Sequence, residues 1–135
     1  MFLILPDCSL RALNMLNAEV MMMIGTFAFG AIGYPLLELA TRRRTHYSMA
    51  LAGGLSTMLI RRLSRTSMRR MTQAMLCGAG ITAIEYACGR IWNRNYRVWD
   101  YRHMPLNLQG QVCLPYSLLW CGLSAAVLKA MSRHW

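Results

Sequence analysis

Residues Ile84–Trp120 read IEYACGRIWNRNYRVWDYRHMPLNLQGQVCLPYSLLW, and this stretch decides the fold. It begins with a glutamate, Glu85, near the end of an apolar run. It crosses a loop rich in Arg, Trp and Tyr, then enters a second apolar run past Pro105, Asn107, Gly110 and Pro115. Trp and Tyr favour the membrane–water interface, where an apolar ring meets a wet polar edge. Arginine-rich and aromatic residues between two uncharged runs are therefore the pattern of a loop joining two membrane spans.

The rest of the chain repeats the pattern. Val20 to Leu37 carries no charge and is 18 residues long. At about 1.5 Å per residue it nearly crosses a hydrocarbon core of about 30 Å. Pro35 is expected to kink this span near its end, as membrane bundles allow. A basic turn, Thr41 to His46, leads to the uncharged run Tyr47–Ile60, which Arg61 and Arg62 can lengthen by snorkelling to the headgroups. A re-entrant or interfacial helix is the competing reading of this shorter run. Arg61, Arg62, Arg65, Arg69 and Arg70 form the densest basic loop. Met71–Gly89 and Val112–Leu128 are the last two runs. The expectation is an all-α, polytopic membrane protein with about four transmembrane helices in two hairpins. It forms a single transmembrane domain over 1–135, with an interfacial N-terminal segment at 1–19 and spans near 20–40, 45–62, 71–89 and 111–129. The apolar start, stopped by Pro6 and Asp7 with no basic residues before it, does not read as a cleaved signal.

Composition agrees. The chain has 135 residues, 56% of them apolar, yet 15 Lys and Arg stand against 5 Asp and Glu, for a net charge of +10. A soluble domain this basic would suggest nucleic acid. Here the charges cluster between uncharged runs, so membrane lipid rather than nucleic acid is the expected partner. A soluble helical protein with basic turns is the alternative. Orientation is balanced: eight Lys or Arg fall on the side of both termini and seven on the other. The compact middle cluster tilts the reading towards cytoplasmic ends.

Small residues recur at four-residue spacing: Ser48, Ala52 and Ser56, then Ala74, Gly78 and Thr82, then Ser117, Cys121 and Ala125. In lipid such spacing lets helix backbones approach closely, so a tight bundle or a homo- or hetero-oligomer is expected. The two halves share a faint repeat, with Glu38 and Glu85 each a few residues before a loop.

Glu38 and Glu85 form the candidate intramembrane polar site. A carboxylate below the headgroups is costly unless it is paired or wet. Either the pair binds a cation or a substrate amine or relays protons, or each glutamate forms an ion pair with a loop arginine. For Glu85 those are Arg90, Arg94, Arg97 and Arg102. Trp99, Asp100, Tyr101, Asn107 and Gly110 form a candidate loop motif. Asp100 is expected to pair with a loop arginine and order the loop, and ligand recognition is the other reading. Asn107, Gly110 and Pro115 suggest an irregular re-entry into the membrane, which must be buried or line a wet cavity. The five cysteines and three histidines show no metal spacing and no disulfide pattern. No phosphate-binding loop, H-E-x-x-H or G-x-S-x-G motif is present, so no cofactor and no enzymatic activity is expected. An intramembrane lipid enzyme using Glu38 or Glu85 as general base is a minor reading.

Several pieces resemble a family of small bacterial integral membrane proteins catalogued as ABC-transporter permeases. They are Ile84-Glu85-Tyr86, Cys88-Gly89, Val98-Trp99-Asp100-Tyr101, Pro105-Leu106-Asn107, Gly110-Gln111-Val112-Cys113-Leu114 and Ser117-Leu118-Leu119-Trp120. Gly33-Tyr34, Glu38, His46-Tyr47-Ser48-Met49 and Gly53-Gly54 are similar too. The likeness covers roughly Gly33 to Ala126, with W-D-Y, N-x-x-G and C-L its most specific spacing. Arg102 stands where the family usually has serine. The resemblance implies a permease-like component of a transport system in the bacterial cytoplasmic membrane, with ATP hydrolysis supplied by a separate ATPase subunit. The alternative is a non-transporting scaffold or envelope-sensing accessory protein.

Overall fold

The computed structural model describes residues 5–133. It contains four helices: α1 (Leu5–Arg42), α2 (Tyr47–Ser64), α3 (Arg70–Trp92) and α4 (Leu114–Ser132). A minimal hairpin of β1 (Asn107–Leu108) and β2 (Val112–Cys113) precedes α4, pairing Asn107 with Cys113 and Leu108 with Val112.

Local chemistry sets the helix ends. Arg43 takes a left-handed φ of 56° just past α1, and its N–H bonds back to the Leu39 carbonyl at 3.2 Å. That is a common way to close a helix C-terminus. His46 caps α2, its Nδ1 accepting the Ser48 N–H at 3.2 Å. The turn into α3 is tied by Gln73, whose buried amide donates to the Leu63 carbonyl at 2.8 Å and the Thr66 carbonyl at 3.0 Å. The Leu63 carbonyl also accepts the Thr66 N–H at 3.1 Å, so the amide adds to a turn that the backbone already closes. Pro115 lies in the first turn of α4, where its missing N–H costs nothing.

Two segments take a definite form. The N-terminal segment 1–19 is, from Leu5 onward, helical and continuous with the first span, so α1 runs unbroken through Pro35 to Arg42. Residues 1–4 lie outside the described residues. The irregular backbone expected at Asn107 and Gly110 takes the form of the β hairpin. Its turn closes through the Gln111 N–H to the Leu108 carbonyl at 3.1 Å, with Gln109 and Gly110 at φ 52° and 67°. Backbone groups in a two-strand hairpin satisfy each other, which a bare loop could not do.

The helices alternate in direction. α1 packs along α2, α2 along α3 and α3 along α4. The α1–α2 pair is held by glycines. A Cβ on Gly30 would collide with the Gly53 carbonyl oxygen, and a Cβ on Gly53 with that of Gly30. In the second pair, Gly78 plays this part against Cys121, and Thr82 donates to the Ser117 hydroxyl at 2.9 Å. The inward stripe of α4 is one step out of phase with the expected spacing. Ser124 and Leu128 are buried, while Ala125 is exposed.

Two helices, α1 and α4, are long and apolar enough to cross a membrane among the described residues. Only 6% and 17% of their apolar windows are buried within the chain. The core helix of a soluble protein would be mostly covered, whereas most of this apolar surface is left uncovered by the chain itself. Met15, Phe29, Met71 and Leu118 are each more than half exposed.

Gly30→Ala should lower the thermal midpoint in detergent, with a cost of about 1–3 kcal/mol for forcing backbones apart. Gly25→Ala is its control, because an added Cβ there meets nothing within 4 Å. Thermal unfolding should show the Gly25 variant equal to or above the parent and the Gly30 variant below it. Equal midpoints for the two would contradict the glycine contact.

Candidate functional site

Ala74, Gly78, Ile81 and Glu85 share one face of α3 by three- and four-residue steps, and all four are buried. At the top of that face Glu85 is 6% exposed. Its Oε1 accepts the Tyr34 hydroxyl of α1 at 2.7 Å, and its Oε2 accepts the Trp120 indole N–H of α4 at 3.0 Å. The two rings lie 5.5 Å apart. One carboxyl group therefore joins three helices.

No arginine reaches it. Among the described residues the ion pairs are Arg65 with Glu19 and Arg102 with Asp100. The expected pairing of Glu85 with Arg90, Arg94, Arg97 or Arg102 is thus corrected. The glutamate points sideways, into the seam between α1 and α4, and not along α3 towards the loop. Arg94 turns back and donates to the Arg90 carbonyl at 2.8 Å. Arg102 is taken by Asp100.

Tyr34, Glu38 and Arg42 fall one helical turn apart on α1. Glu38 is partly exposed, and it accepts the Thr45 hydroxyl at 3.2 Å rather than an arginine. Arg42 donates to the Tyr101 hydroxyl at 3.2 Å. Its guanidinium sits 5.8 Å from the Tyr101 ring centre and 5.9 Å from that of Tyr116. Those two rings stack at 4.8 Å. This is a cation–π contact at the point where α1 ends under the loop.

The loop motif divides into two jobs. Trp99 and Tyr101 are buried, while Asp100 faces outward. Asp100 takes Arg102 in a fork, with Nη2 to Oδ2 at 2.7 Å and Nε to Oδ1 at 2.9 Å. The hydrogen bonds from Arg102 push the Asp100 carboxyl down to about 2. Arg102 also lies 4.2 Å from the Tyr96 ring centre. Burial pushes the Tyr101 phenol up to about 12, against the lowering effect of Arg42. Asn107 braces the hairpin, accepting the Gly110 N–H and donating to the Met104 carbonyl, both at 2.9 Å.

Sequence reasoning missed the centre of this loop. Asn93 and Gln111 are 1% and 2% exposed. Asn93 donates to the Trp99 carbonyl at 2.7 Å and to the Gln111 side-chain oxygen at 3.1 Å. Gln111 donates back to the Asn93 carbonyl at 3.0 Å. The Trp99 indole N–H reaches the Gln111 carbonyl at 2.8 Å. Gly89 makes room, since a Cβ there would meet the Gln111 amide. Asn93 directly after an apolar helix was the available signal: a short amide at a helix end bonds nearby backbone readily.

No group of three or more His, Cys, Asp or Glu in metal-binding proximity occurs among the described residues. Chemically, the arrangement offers a carboxyl held by two neutral donors and, towards the loop, a second carboxyl and an arginine over stacked tyrosines.

Comparison with known proteins adds one finding. The profile of the family described as "Putative ABC-transporter type IV" matches residues 46–135. The match spans more than half of the chain, which therefore belongs to that family. It takes in α2, α3, the loop and α4, but leaves Tyr34 and Arg42 outside. The family points to a transport-related role and to association with other transporter subunits. No curated protein and no solved structure matches.

Tyr34→Phe should leave the Glu85 Oε1 without its donor. Losing a partner to a buried polar group costs about 1–3 kcal/mol, so the thermal midpoint in detergent should fall. An unchanged midpoint would contradict the three-helix clasp.

Proposed function

From this family membership we propose that the chain is a small multi-pass protein of the bacterial cytoplasmic membrane and a permease-like component of a transport system. All four helices cross the bilayer in this reading. At about 1.5 Å per residue, α2 and α3 are about 27 and 35 Å long, against a hydrocarbon core of about 30 Å. Glu85 is the only charged residue type within the apolar part of α3, and its oxygens are both hydrogen-bonded.

The observation that carries the reading is the outward apolar surface of α1 and α4 around a core whose buried carboxyl is satisfied from within. Lipid, and the helices of a homo- or hetero-oligomer, would cover that surface. ATP hydrolysis would come from a separate subunit, in keeping with the family's description. Glu38 and Glu85 remain the proposed intramembrane polar site, with Trp99, Asp100, Tyr101, Asn107 and Gly110 ordering the loop above it.

One observation favours the second reading, a non-transporting scaffold or envelope-sensing protein. The donors on Glu85 come from Tyr34 and Trp120, so the carboxyl already serves as a structural tie.

The chain should stay with membranes through alkaline extraction. Reporter fusions after residues 66 and 100 should report opposite sides. Recovery in a detergent-free soluble fraction would end the membrane reading, and the same side for both fusions would end the four-span topology.

Glu85→Gln separates transport site from scaffold. In glutamine one of the two accepting oxygens becomes an NH2 donor, so Tyr34 and Trp120 no longer each have an acceptor oxygen and the bonds to a charged carboxylate are lost. As a structural tie, the variant should unfold at lower temperature. As a solute or proton site, it should keep its stability and abundance and lose the cellular transport phenotype. Measuring midpoint, membrane level and phenotype together decides between them.

A further inference from the structure

A groove of about 520 Å³ runs between α1 and α4, with α2 and α3 behind it. Its walls are apolar, including Phe29, Leu37, Ile60, Leu123 and Val127, and Tyr34 and Trp120 of the Glu85 clasp also line it. Along α1 it extends from Thr26 to Leu37. Eleven residue steps at about 1.5 Å make about 16 Å, close to half of a hydrocarbon core of about 30 Å. The groove is therefore about as long as one leaflet is thick.

Its mouth is basic. Thr26 and Arg61 line the groove and also two recesses beside it, which add Arg62, Arg65 and Arg70. Three of these arginines are tethered through Nη1: Arg61 to the Thr26 hydroxyl at 2.9 Å, Arg65 to Glu19, and Arg70 to the Leu128 carbonyl at 3.3 Å. A guanidinium has five N–H donors in a fork that suits phosphate, so each keeps donors for a ligand. Glu19 is the one carboxylate lining these recesses.

We propose that this groove and its arginine mouth bind one anionic phospholipid, with an acyl chain along α1 and α4 and the phosphate at Arg61, Arg65 and Arg70. Three features select this occupant. The length suits an extended acyl chain, the walls match a hydrocarbon chain, and the arginines sit at one end alone. A neutral helix would gain nothing from the arginines, and a free phosphate would leave the apolar groove unfilled. The bound chain would press against Tyr34 and Trp120, so lipid occupancy would bear directly on the clasp. The inference rests on the membrane reading above.

The test uses the whole chain purified in a neutral detergent, with lipid retention read by native mass spectrometry. Phosphatidylglycerol should be retained at one per chain, in preference to phosphatidylcholine. Arg61→Gln with Arg70→Gln should weaken that retention by about tenfold or more, since two cationic contacts are removed. Gly33→Leu should weaken it similarly by filling the groove. Gly33 lines the groove, and an added Cβ there meets nothing within 4 Å, so this variant should fold as the parent does. Equal retention of the two lipids would overturn the proposal, as would a Gly33→Leu chain that holds phosphatidylglycerol normally. So would inorganic phosphate raising the thermal midpoint as much as phosphatidylglycerol does, which would mark an anion site without a chain. A membrane-embedded protein that fails these tests loses the lipid site alone. A protein recovered without detergent loses the membrane reading as well.

Discussion

A carboxyl group shielded from water must find its hydrogen bonds inside the protein, and the arrangement of this bundle follows from where Glu85 finds them. Its two oxygens take one donor from α1 and one from α4. Those two helices otherwise make little direct contact, since the packing runs from α1 to α2, α3 and α4 in turn. The clasp therefore sets the depth of α1 against α4. Together with the Gln73 ties between α2 and α3 and the Arg42–Tyr101 bond, it fixes the α1–α2 pair against the α3–α4 pair. Hydrogen bonds specify position where packing alone does not.

Close helix approach makes the clasp reachable. Gly30 and Gly53 bring the α1 and α2 backbones together, and Gly78 lets Cys121 do the same between α3 and α4. In lipid, association between helices relies on such packing rather than on hydrophobicity. Larger residues would widen each pair and carry Tyr34 or Trp120 away from the carboxyl. The small residues and the buried polar group are thus parts of one constraint.

The arginines divide between the two ends of the bundle, and the structure gives many of them internal work. Arg42 lies over the Tyr101–Tyr116 stack at one end. Arg61, Arg65 and Arg70 tie α2 and α3 to α1 and α4 at the other. A positive end that is also a tether stays in place when an anion arrives, which bears on both the transport reading and the lipid groove. The loop between α3 and α4 is ordered in the same economical way, by the buried Asn93–Gln111 pair beneath Trp99.

The sequence alone determined the apolar runs, the basic loops between them and the family. Uncharged stretches near span length can be counted along one dimension, and the W-D-Y and N-x-x-G spacing is a local pattern. The small-residue contact at Gly78 was legible for the same reason, whereas the hairpin turn at Gly110 was not, since only irregular backbone was expected there. What the sequence left open was pairing. Glu85 was placed on the correct face of α3, but the structural partner expected for it was a loop arginine, because charge suggests a counter-charge. Only the tertiary structure brings Tyr34, 51 positions away, and Trp120, 35 positions away, onto that face. The Asn93–Gln111 pair and the groove between α1 and α4 were invisible for a like reason. A helix period tells which residues share a face, but it does not tell which other helix that face will meet.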